Sequence, residues 1–193
     1  MSENTNSLEE RLIQIVRASP SLMELLVAAR TLKLESWYIG AGVVRSAVWD
    51  HLHGFSTPSQ YDDVHVVYFD GFAEERQDAE LAIRLQNAYP SVNWEVTNQA
   101  LVHKWFLRAH AQAVPPLQSL TEGVATWPEF ATCVGVSLRA DGSIEIVAPY
   151  GLEDLFTLKV RHNNTRATAA IFAEQVASKR FTQRWPMLSI IAV

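Results

Sequence analysis

The feature that most constrains this chain is a glycine-containing turn between a short apolar strand and a helical segment. Trp37-Tyr38-Ile39 has the aromatic and β-branched residues typical of a strand, Gly40-Ala41-Gly42 follows it, and Val43 to His53 suits a helix. Backbone N–H groups at a glycine turn that opens a helix can approach phosphate oxygens closely. Arg45 adds a forked donor soon after the turn. A tight turn with a purely structural role has the same pattern, so both interpretations stay open here.

Acidic residues on two later strands extend this pattern. Asp63 to Phe69 and Val92 to Val96 are rich in β-branched and aromatic residues, which predicts a strand in each place. Residues two apart on a strand point to the same face, so Asp63 and His65 project together. Glu95 reaches them if its strand lies alongside. Mg²⁺ prefers carboxylates combined with nucleotide phosphates, which makes these three side chains a candidate site for a divalent metal ion.

Several polar residues also allow a structural interpretation. Asp63 can simply begin a strand, with His65 as a satisfied polar residue on a half-buried face. His51 and His53 lie near the end of a helix, where cationic imidazoles complement the helix dipole, and their spacing does not place both on one helical face. Cys133, the single cysteine, lies in an apolar segment and is predicted to be a core residue rather than a nucleophile.

The order of elements predicts an α/β fold with a mixed β-sheet and packed helices. Two apolar helical patterns within residues 1–34 predict an N-terminal helical hairpin. Residues 35–100 alternate between strands and helices and contain every candidate site residue. In residues 101–193, two apolar runs flank the turn at Asp141-Gly142 and predict an antiparallel hairpin, and Asn164 to Arg184 predicts a long closing helix. With no repeat or flexible linker, we expect a single domain.

Composition excludes several classes of protein. A hydrophobic fraction of 48% and a charged fraction of 19% are ordinary for globular proteins and exclude disordered and fibrous chains. The net charge of -5 opposes broad electrostatic binding of nucleic acid. The single cysteine and the absence of an apolar signal or membrane-spanning run lead us to expect a cytoplasmic protein without a membrane partner. The oligomeric state stays open.

Segments spread along the chain carry a family resemblance. They are Trp37 to Arg45, Val48 to Gly54, Asp63 to Asp70, Trp94 to Ala100, Trp127-Pro128-Glu129, Ala131-Thr132, Ala148 to Phe156, and Lys179 with Trp185-Pro186. Over about residues 35 to 190, these segments together resemble a bacterial nucleotidyltransferase-like family of the DNA polymerase beta superfamily.

The resemblance implies a mixed α/β nucleotidyltransferase fold. In such a fold the glycine turn holds a nucleoside triphosphate, and three strand-borne acids bind a divalent metal ion, Mg²⁺ or Mn²⁺. Carried over to this chain, Gly40 and Gly42 match the turn, and Arg45 matches the arginine that follows it. Asp63 matches the first acid and Glu95 the third.

Two positions depart from the pattern of the family. The family presents Asp-x-Asp where this chain has Asp63-Val64-His65, and asparagine where Ser46 follows Arg45. Neutral imidazole is a poorer ligand for Mg²⁺ than a carboxylate and suits Mn²⁺ better. Loss of the middle carboxylate should therefore weaken metal binding.

Three functions stay open at this point. The first is a nucleotidyltransferase that moves a nucleoside monophosphate from a nucleoside triphosphate to an unknown acceptor, with His65 as an atypical metal ligand or a base. The second is a non-catalytic descendant that still binds nucleotide. The third is an interaction module that presents Trp105, Phe106 and the Pro115-Pro116 loop as an apolar surface.

Overall fold

The computed structural model describes residues 7–110 and 113–191. A five-stranded mixed sheet with helices packed against it forms the body of the molecule, and a separate two-stranded pair lies near the C-terminus. The predicted α/β class with a mixed sheet is therefore confirmed. In the described ranges, no single helix is long and apolar enough to span a membrane, and only one pair of helices, bent by 91°, passes that test together.

Helices and strands alternate through the first half of the chain. The helices are α1 (Leu8–Ala18), α2 (Pro20–Arg30), α3 (Gly42–Leu52), α4 (Gln77–Ala88), α5 (Val102–His110), α6 (Leu120–Val124), α7 (Glu153–Phe156), α8 (Ala169–Lys179) and α9 (Phe181–Arg184). The strands are β1 (Trp37–Gly40), β2 (Val64–Tyr68), β3 (Trp94–Asn98), β4 (Gly135–Leu138), β5 (Ile144–Val147), β6 (Lys159–Arg161) and β7 (Ser189–Ile191).

The strand order β3-β2-β1-β4-β5 brings the predicted site together. β1 runs antiparallel to β2, with Ile39 opposite Val66, so the end of β1 lies beside the start of β2. β3 runs parallel to β2, with His65 directly opposite Glu95. The end of β1 and the starts of β2 and β3 lie at the same end of the sheet. The turn after β1 therefore lies next to the acidic residues of β2 and β3.

The N-terminal helices cross rather than lie antiparallel. Ser7 and Glu10 form a capping box at the start of α1, and Ser19 caps α2 with Pro20 in its first turn. This tight junction turns the chain by 91°, so the predicted helical hairpin is in fact a right-angled corner. Both helices bury their apolar faces in the core.

The C-terminal half confirms one prediction and corrects another. β4 and β5 pair as the predicted antiparallel hairpin, and Gly142 in its turn adopts a φ of +83°, which favours glycine. The single closing helix predicted over Asn164 to Arg184 is wrong. The helical segment begins only after its cap, Thr168, and it breaks at Arg180, whose left-handed φ of +48° separates α8 from α9.

The core below the site is aromatic. Trp49 packs edge-on against Phe181 and Trp185, with ring centroids 5.6 and 5.2 Å apart. The Trp185 indole donates to a carboxylate oxygen of Asp50 at 2.7 Å, which ties the C-terminal segment to α3. Cys133 is fully buried, as predicted, and burial raises the pKa of its thiol to about 12.

Candidate functional site

A cleft of about 910 Å³ opens where the turn after β1 meets the starts of β2 and β3. This volume is in the range of sites for small molecules. Ile171, Gln175 and Lys179, spaced four residues apart on α8, contribute one wall. All the predicted site residues line this cleft: Gly40, Gly42, Arg45, Asp63, His65 and Glu95.

The turn itself holds a strained residue. Ala41 has a φ of +53° and a ψ of -120°, a conformation that favours glycine, yet it is the one residue of the turn with a side chain. Such strain costs on the order of 1–3 kcal/mol and persists where the surrounding structure imposes it. Among the residues that the structure describes, no side chain caps α3, so the N–H groups of its first turn are available to a ligand.

The two glycines of the turn differ in what requires them. A Cβ on Gly40 would overlap the Trp127 ring, with the ring carbon Cζ3 only 2.7 Å away, so packing of the indole demands glycine there. A Cβ on Gly42 would meet only Arg45 Nη2, at an ordinary 3.7 Å. Neither packing nor a positive φ requires glycine at position 42. The free space beside it lies in the cleft.

Arg45 is a buried cation with unused donors. It is 6% exposed, and its guanidinium lies 4.7–5.8 Å from the ring centroids of Phe181, Trp49 and Trp185. Its side chain forms no hydrogen bond or ion pair with any residue that the structure describes. Burial lowers the pKa of Arg45 to about 10, against the opposing charge of Glu129, so the group remains protonated at neutral pH.

Glu129 brings a second buried charge to the cleft. It is 4% exposed, and its Oε2 accepts a hydrogen bond from the Thr132 hydroxyl at 2.7 Å. Asn163 holds the preceding segment, because its amide donates to the carbonyl oxygens of Ala125 and Trp127 at 2.7 and 2.8 Å. These bonds fix Glu129 and the Trp127 indole along one side of the cleft.

Asp63 lies two residues before His65 in the chain, and Glu95 lies directly opposite His65 on the neighbouring strand β3. Asp63 directly precedes β2 and is half-buried, whereas Glu95 is exposed. Neither carboxylate forms an ion pair or side-chain hydrogen bond with a described residue. The neighbouring Asp62 is exposed and pairs with Lys179 at 3.1 Å, which lowers the pKa of Asp62. Lys179 is thereby engaged by Asp62 rather than by Asp63.

His65 is held by its neighbours. Its Nε2 lies 3.0 Å from the Thr97 hydroxyl, and its ring lies nearly parallel to the Trp127 indole with centroids 6.3 Å apart. Burial lowers the pKa of His65, although the nearby carboxylates of Glu95, Asp63 and Asp78 oppose that shift. His65 is thus neutral at neutral pH.

The predicted three-ligand metal site is not preformed. Within residues 7–110 and 113–191, no group of three His, Cys, Asp or Glu side chains is placed to hold a metal ion. Asp78 also lines the cleft, but it accepts hydrogen bonds from the Tyr68 hydroxyl and the Asn98 backbone N–H. Asp63 and Glu95 remain as unpaired carboxylates, a donor set that suits an ion whose coordination is completed by phosphate oxygens.

The cleft also contains residues that the sequence did not reveal. Thr97 had a signal, because it follows Glu95 by two residues on one strand and must share its face. Gln99 and Glu129 lie in segments that carry the family resemblance, but no local pattern placed either of them, or Arg166, in the cleft. Trp105 and Phe106, predicted for an interaction surface, line the same cleft.

The sequence matches a family model described as nucleotidyltransferase over residues 27–190. Among curated proteins, none matches significantly. One similar structure, solved by NMR and revealing a CCA-adding enzyme head domain, is 25% identical with a TM-score of 0.81, and the match covers 98% of each chain.

Two longer structures share the fold alone. A CCA-adding enzyme with CTP is 11% identical with a TM-score of 0.56, and the match covers 96% of this chain and 43% of that one. The Thermotoga maritima CCA-adding enzyme complexed with tRNA is 13% identical with a TM-score of 0.54, with 95% and 42% covered. This chain therefore spans less than half the length of these two enzymes.

Proposed function

Because the chain belongs to the nucleotidyltransferase family, we propose that its cleft binds a nucleoside triphosphate and transfers the nucleoside monophosphate to an acceptor hydroxyl. One observation carries this proposal: Arg45 is buried and charged, has unused donors, and lies beside the open first turn of α3 at Gly42. A buried charge without a partner is costly, and an anionic ligand would compensate it.

The turn after β1, the first turn of α3 and Arg45 together form what we call the phosphate corner, and their chemistry suits phosphate groups. The uncapped N–H groups of α3 and the positive end of its dipole attract anions. Arg45 can bind a phosphate through two parallel N–H···O bonds, and its three aromatic neighbours fix the plane of the guanidinium. Gly42 lets a phosphate oxygen approach the backbone, because no side chain fills that space.

Asp63 and Glu95 are the residues that would hold a divalent ion, Mg²⁺ or Mn²⁺, together with the phosphates. When bound, such an ion supplies charge stabilisation for phosphoryl chemistry. In the transfer, a bond forms between the acceptor oxygen and the α-phosphorus, the bond to the leaving oxygen breaks, and pyrophosphate departs. The acceptor loses one proton, and the neutral imidazole of His65 is a base that could take it.

A second candidate function is nucleotide binding without turnover. The observation that favours it is the position of His65, which replaces the middle carboxylate and already contacts the Thr97 hydroxyl. In this alternative the phosphate corner persists, while the charge needed for catalysis is incomplete. The relatives solved with CTP and with tRNA show the fold only, and a net charge of -5 opposes broad binding of nucleic acid as the acceptor.

Calorimetric titration with each common nucleoside triphosphate, with and without Mg²⁺ or Mn²⁺, tests the proposal. We expect metal-dependent binding and metal-dependent release of pyrophosphate; faster release with Mn²⁺ than with Mg²⁺ would indicate that His65 acts as a metal ligand rather than as the base. Binding without pyrophosphate release, also after a cell extract is added as a source of acceptor, would select the second candidate. Absence of binding under every condition would contradict both.

A further inference from the structure

Lys179 is a half-buried cation on the α8 wall of the cleft, and its partner is an exposed carboxylate. The Lys179 Nζ lies 3.1 Å from the Asp62 Oδ2, and the Asp62 side chain is 78% exposed. Exposed ion pairs contribute little to stability, because water screens both charges. Lys179 is therefore held in the cleft by a partner that a more highly charged anion can displace.

The break between α8 and α9 brings a second cation to the same loop. In a continuous helix, residues five apart point in directions about 140° apart, yet both Lys179 and Arg184 line the cleft. Arg180, which lies between them, adopts the left-handed conformation that interrupts the helix, and this conformation is costly for a residue with a side chain. Arg184 donates from Nη2 to the carbonyl oxygen of Gln60, two residues before Asp62. This bond holds the loop in which Asp62 meets Lys179.

The loop lies within electrostatic range of the phosphate corner. Burial is the main reason that the pKa of Arg45 is lowered, and the charge of Arg184 adds to the lowering, whereas that of Asp62 opposes it. The guanidinium groups of Arg45 and Arg184 lie 5.8 and 4.4 Å from the centroid of the same Trp185 ring. Arg45, Arg184 and the ion pair between Asp62 and Lys179 therefore lie close together in the cleft.

We propose that Asp62 occupies the place of a phosphate group, and that Lys179 exchanges Asp62 for a phosphate of the bound triphosphate. This inference rests on the proposed function. The ammonium group of Lys179 can donate to a phosphate oxygen as it does to the carboxylate. A triphosphate carries more negative charge than one carboxylate and is bound at the same time by the phosphate corner, so the exchange favours the ligand. Asp62 thereby keeps Lys179 in place before binding and lowers the affinity for the triphosphate.

Calorimetric titration with inorganic tripolyphosphate and Mg²⁺ tests this exchange. Lys179→Gln should weaken binding about tenfold, because a hydrogen bond from a charged donor is lost. Asp62→Asn should strengthen binding about two- to fivefold, the range expected when an exposed ion pair no longer competes. Arg180→Gln is the matched control, since it removes the same charge from an exposed residue beside Lys179. It should change the affinity by less than about twofold in physiological salt.

The double variant that combines Asp62→Asn with Lys179→Gln distinguishes exchange from a general effect of charge. With no lysine to release, Asp62→Asn should give no further gain in affinity. An equal gain in both backgrounds would overturn the inference, as would unchanged binding by Lys179→Gln, or unchanged or weaker binding by Asp62→Asn. If tripolyphosphate fails to bind to the wild type, the proposed phosphate corner itself is refuted. Thermal melting confirms that each variant is folded.

Discussion

The cleft has a phosphate side, formed by the turn Gly40-Ala41-Gly42 and Arg45, and an acidic side, formed by Asp63, His65 and Glu95. The two sides differ in how closely neighbouring residues constrain them. On the phosphate side, Ala41 is strained, Gly40 accommodates the Trp127 ring, and three aromatic rings surround Arg45. On the acidic side, the carboxylates of Asp63 and Glu95 form no ion pair with any residue in the described ranges.

This difference separates binding from catalysis. Strain and buried unpaired charge destabilise a fold, so their presence on the phosphate side supports the proposal that an anion binds there. The acidic side shows no comparable strain or buried unpaired charge among the described residues. At the position of the family's second acid it has His65, whose imidazole contacts Thr97. We therefore expect affinity for phosphate to be the robust property and turnover to be the sensitive one.

Arg45→Met should produce the largest effect, on the phosphate side. Affinity for a nucleoside triphosphate should fall about 100-fold or more, because each hydrogen bond from a charged donor contributes about 1.5–3 kcal/mol. The melting temperature should stay constant or rise, since a buried unpaired charge is removed. Calorimetry and thermal melting measure the two effects. Arg45→Lys keeps the charge but loses the paired guanidinium donors, so its affinity for the triphosphate should lie between those of the wild type and Arg45→Met. An Arg45→Met variant with wild-type affinity would contradict the account.

Substituting the two glycines separates packing from ligand access. Gly40→Ala should destabilise the protein by about 1–3 kcal/mol, because the new Cβ overlaps the Trp127 ring. Gly42→Ala should change the free energy of unfolding by no more than about 1 kcal/mol, yet weaken triphosphate binding by filling the space beside the backbone. Urea denaturation and titration of both variants check this. Equal loss of stability at both positions would contradict the distinction.

His65→Asp tests the acidic side. Without metal, repulsion from Asp63 and Glu95 and the desolvation of a half-buried carboxylate should destabilise the protein by about 1–3 kcal/mol. Mg²⁺ should restore that stability, and nucleotidyl transfer should appear or accelerate. Melting curves with and without Mg²⁺, with His65→Asn as the uncharged control, give the answer. Destabilisation that metal does not reverse, without turnover, would leave the binding-only alternative.

The smallest expected effect is a dependence of stability on pH that arises from His65. Burial lowers its pKa in the folded protein, so the unfolded chain takes up the proton first as the pH falls below about 6.5. Stability is therefore fully present above that pH and decreases as the pH falls toward the folded pKa. Urea denaturation between pH 5 and 8 should show a steeper acid loss for the wild type than for His65→Asn. Parallel curves would contradict the burial of a neutral ring.

Local patterns predicted the parts of the site that adjacent residues define. A strand, a turn and a helix were predicted from the run Trp37-Tyr38-Ile39 followed by Gly40-Ala41-Gly42. The strand β1 and the helix α3 form there. The helix α4 joins two strands, an arrangement that suits a parallel pair, which places Glu95 beside His65. Their roles in metal and phosphate binding stay predictions.

Long-range contacts account for what the sequence could not predict. Glu129 reaches the cleft because Asn163, 36 residues beyond Trp127, binds that residue's carbonyl oxygen. The break at Arg180 depends on a left-handed backbone conformation that an arginine does not signal. No spacing rule relates Gln99 to Gly123, although their packing positions the amide.

The most direct test of phosphate binding is the NMR response of the first turn of α3. A ¹⁵N-labelled sample is titrated with tripolyphosphate and Mg²⁺, and the backbone amides of Gly42, Val43 and Val44 are followed together with the Nε–H of Arg45. The account predicts that these four signals shift together and saturate with one affinity, while Arg45→Met abolishes the shifts of the backbone amides. Saturable shifts confined to other parts of the molecule, or none at all, would contradict the central claim that this corner is an anion site.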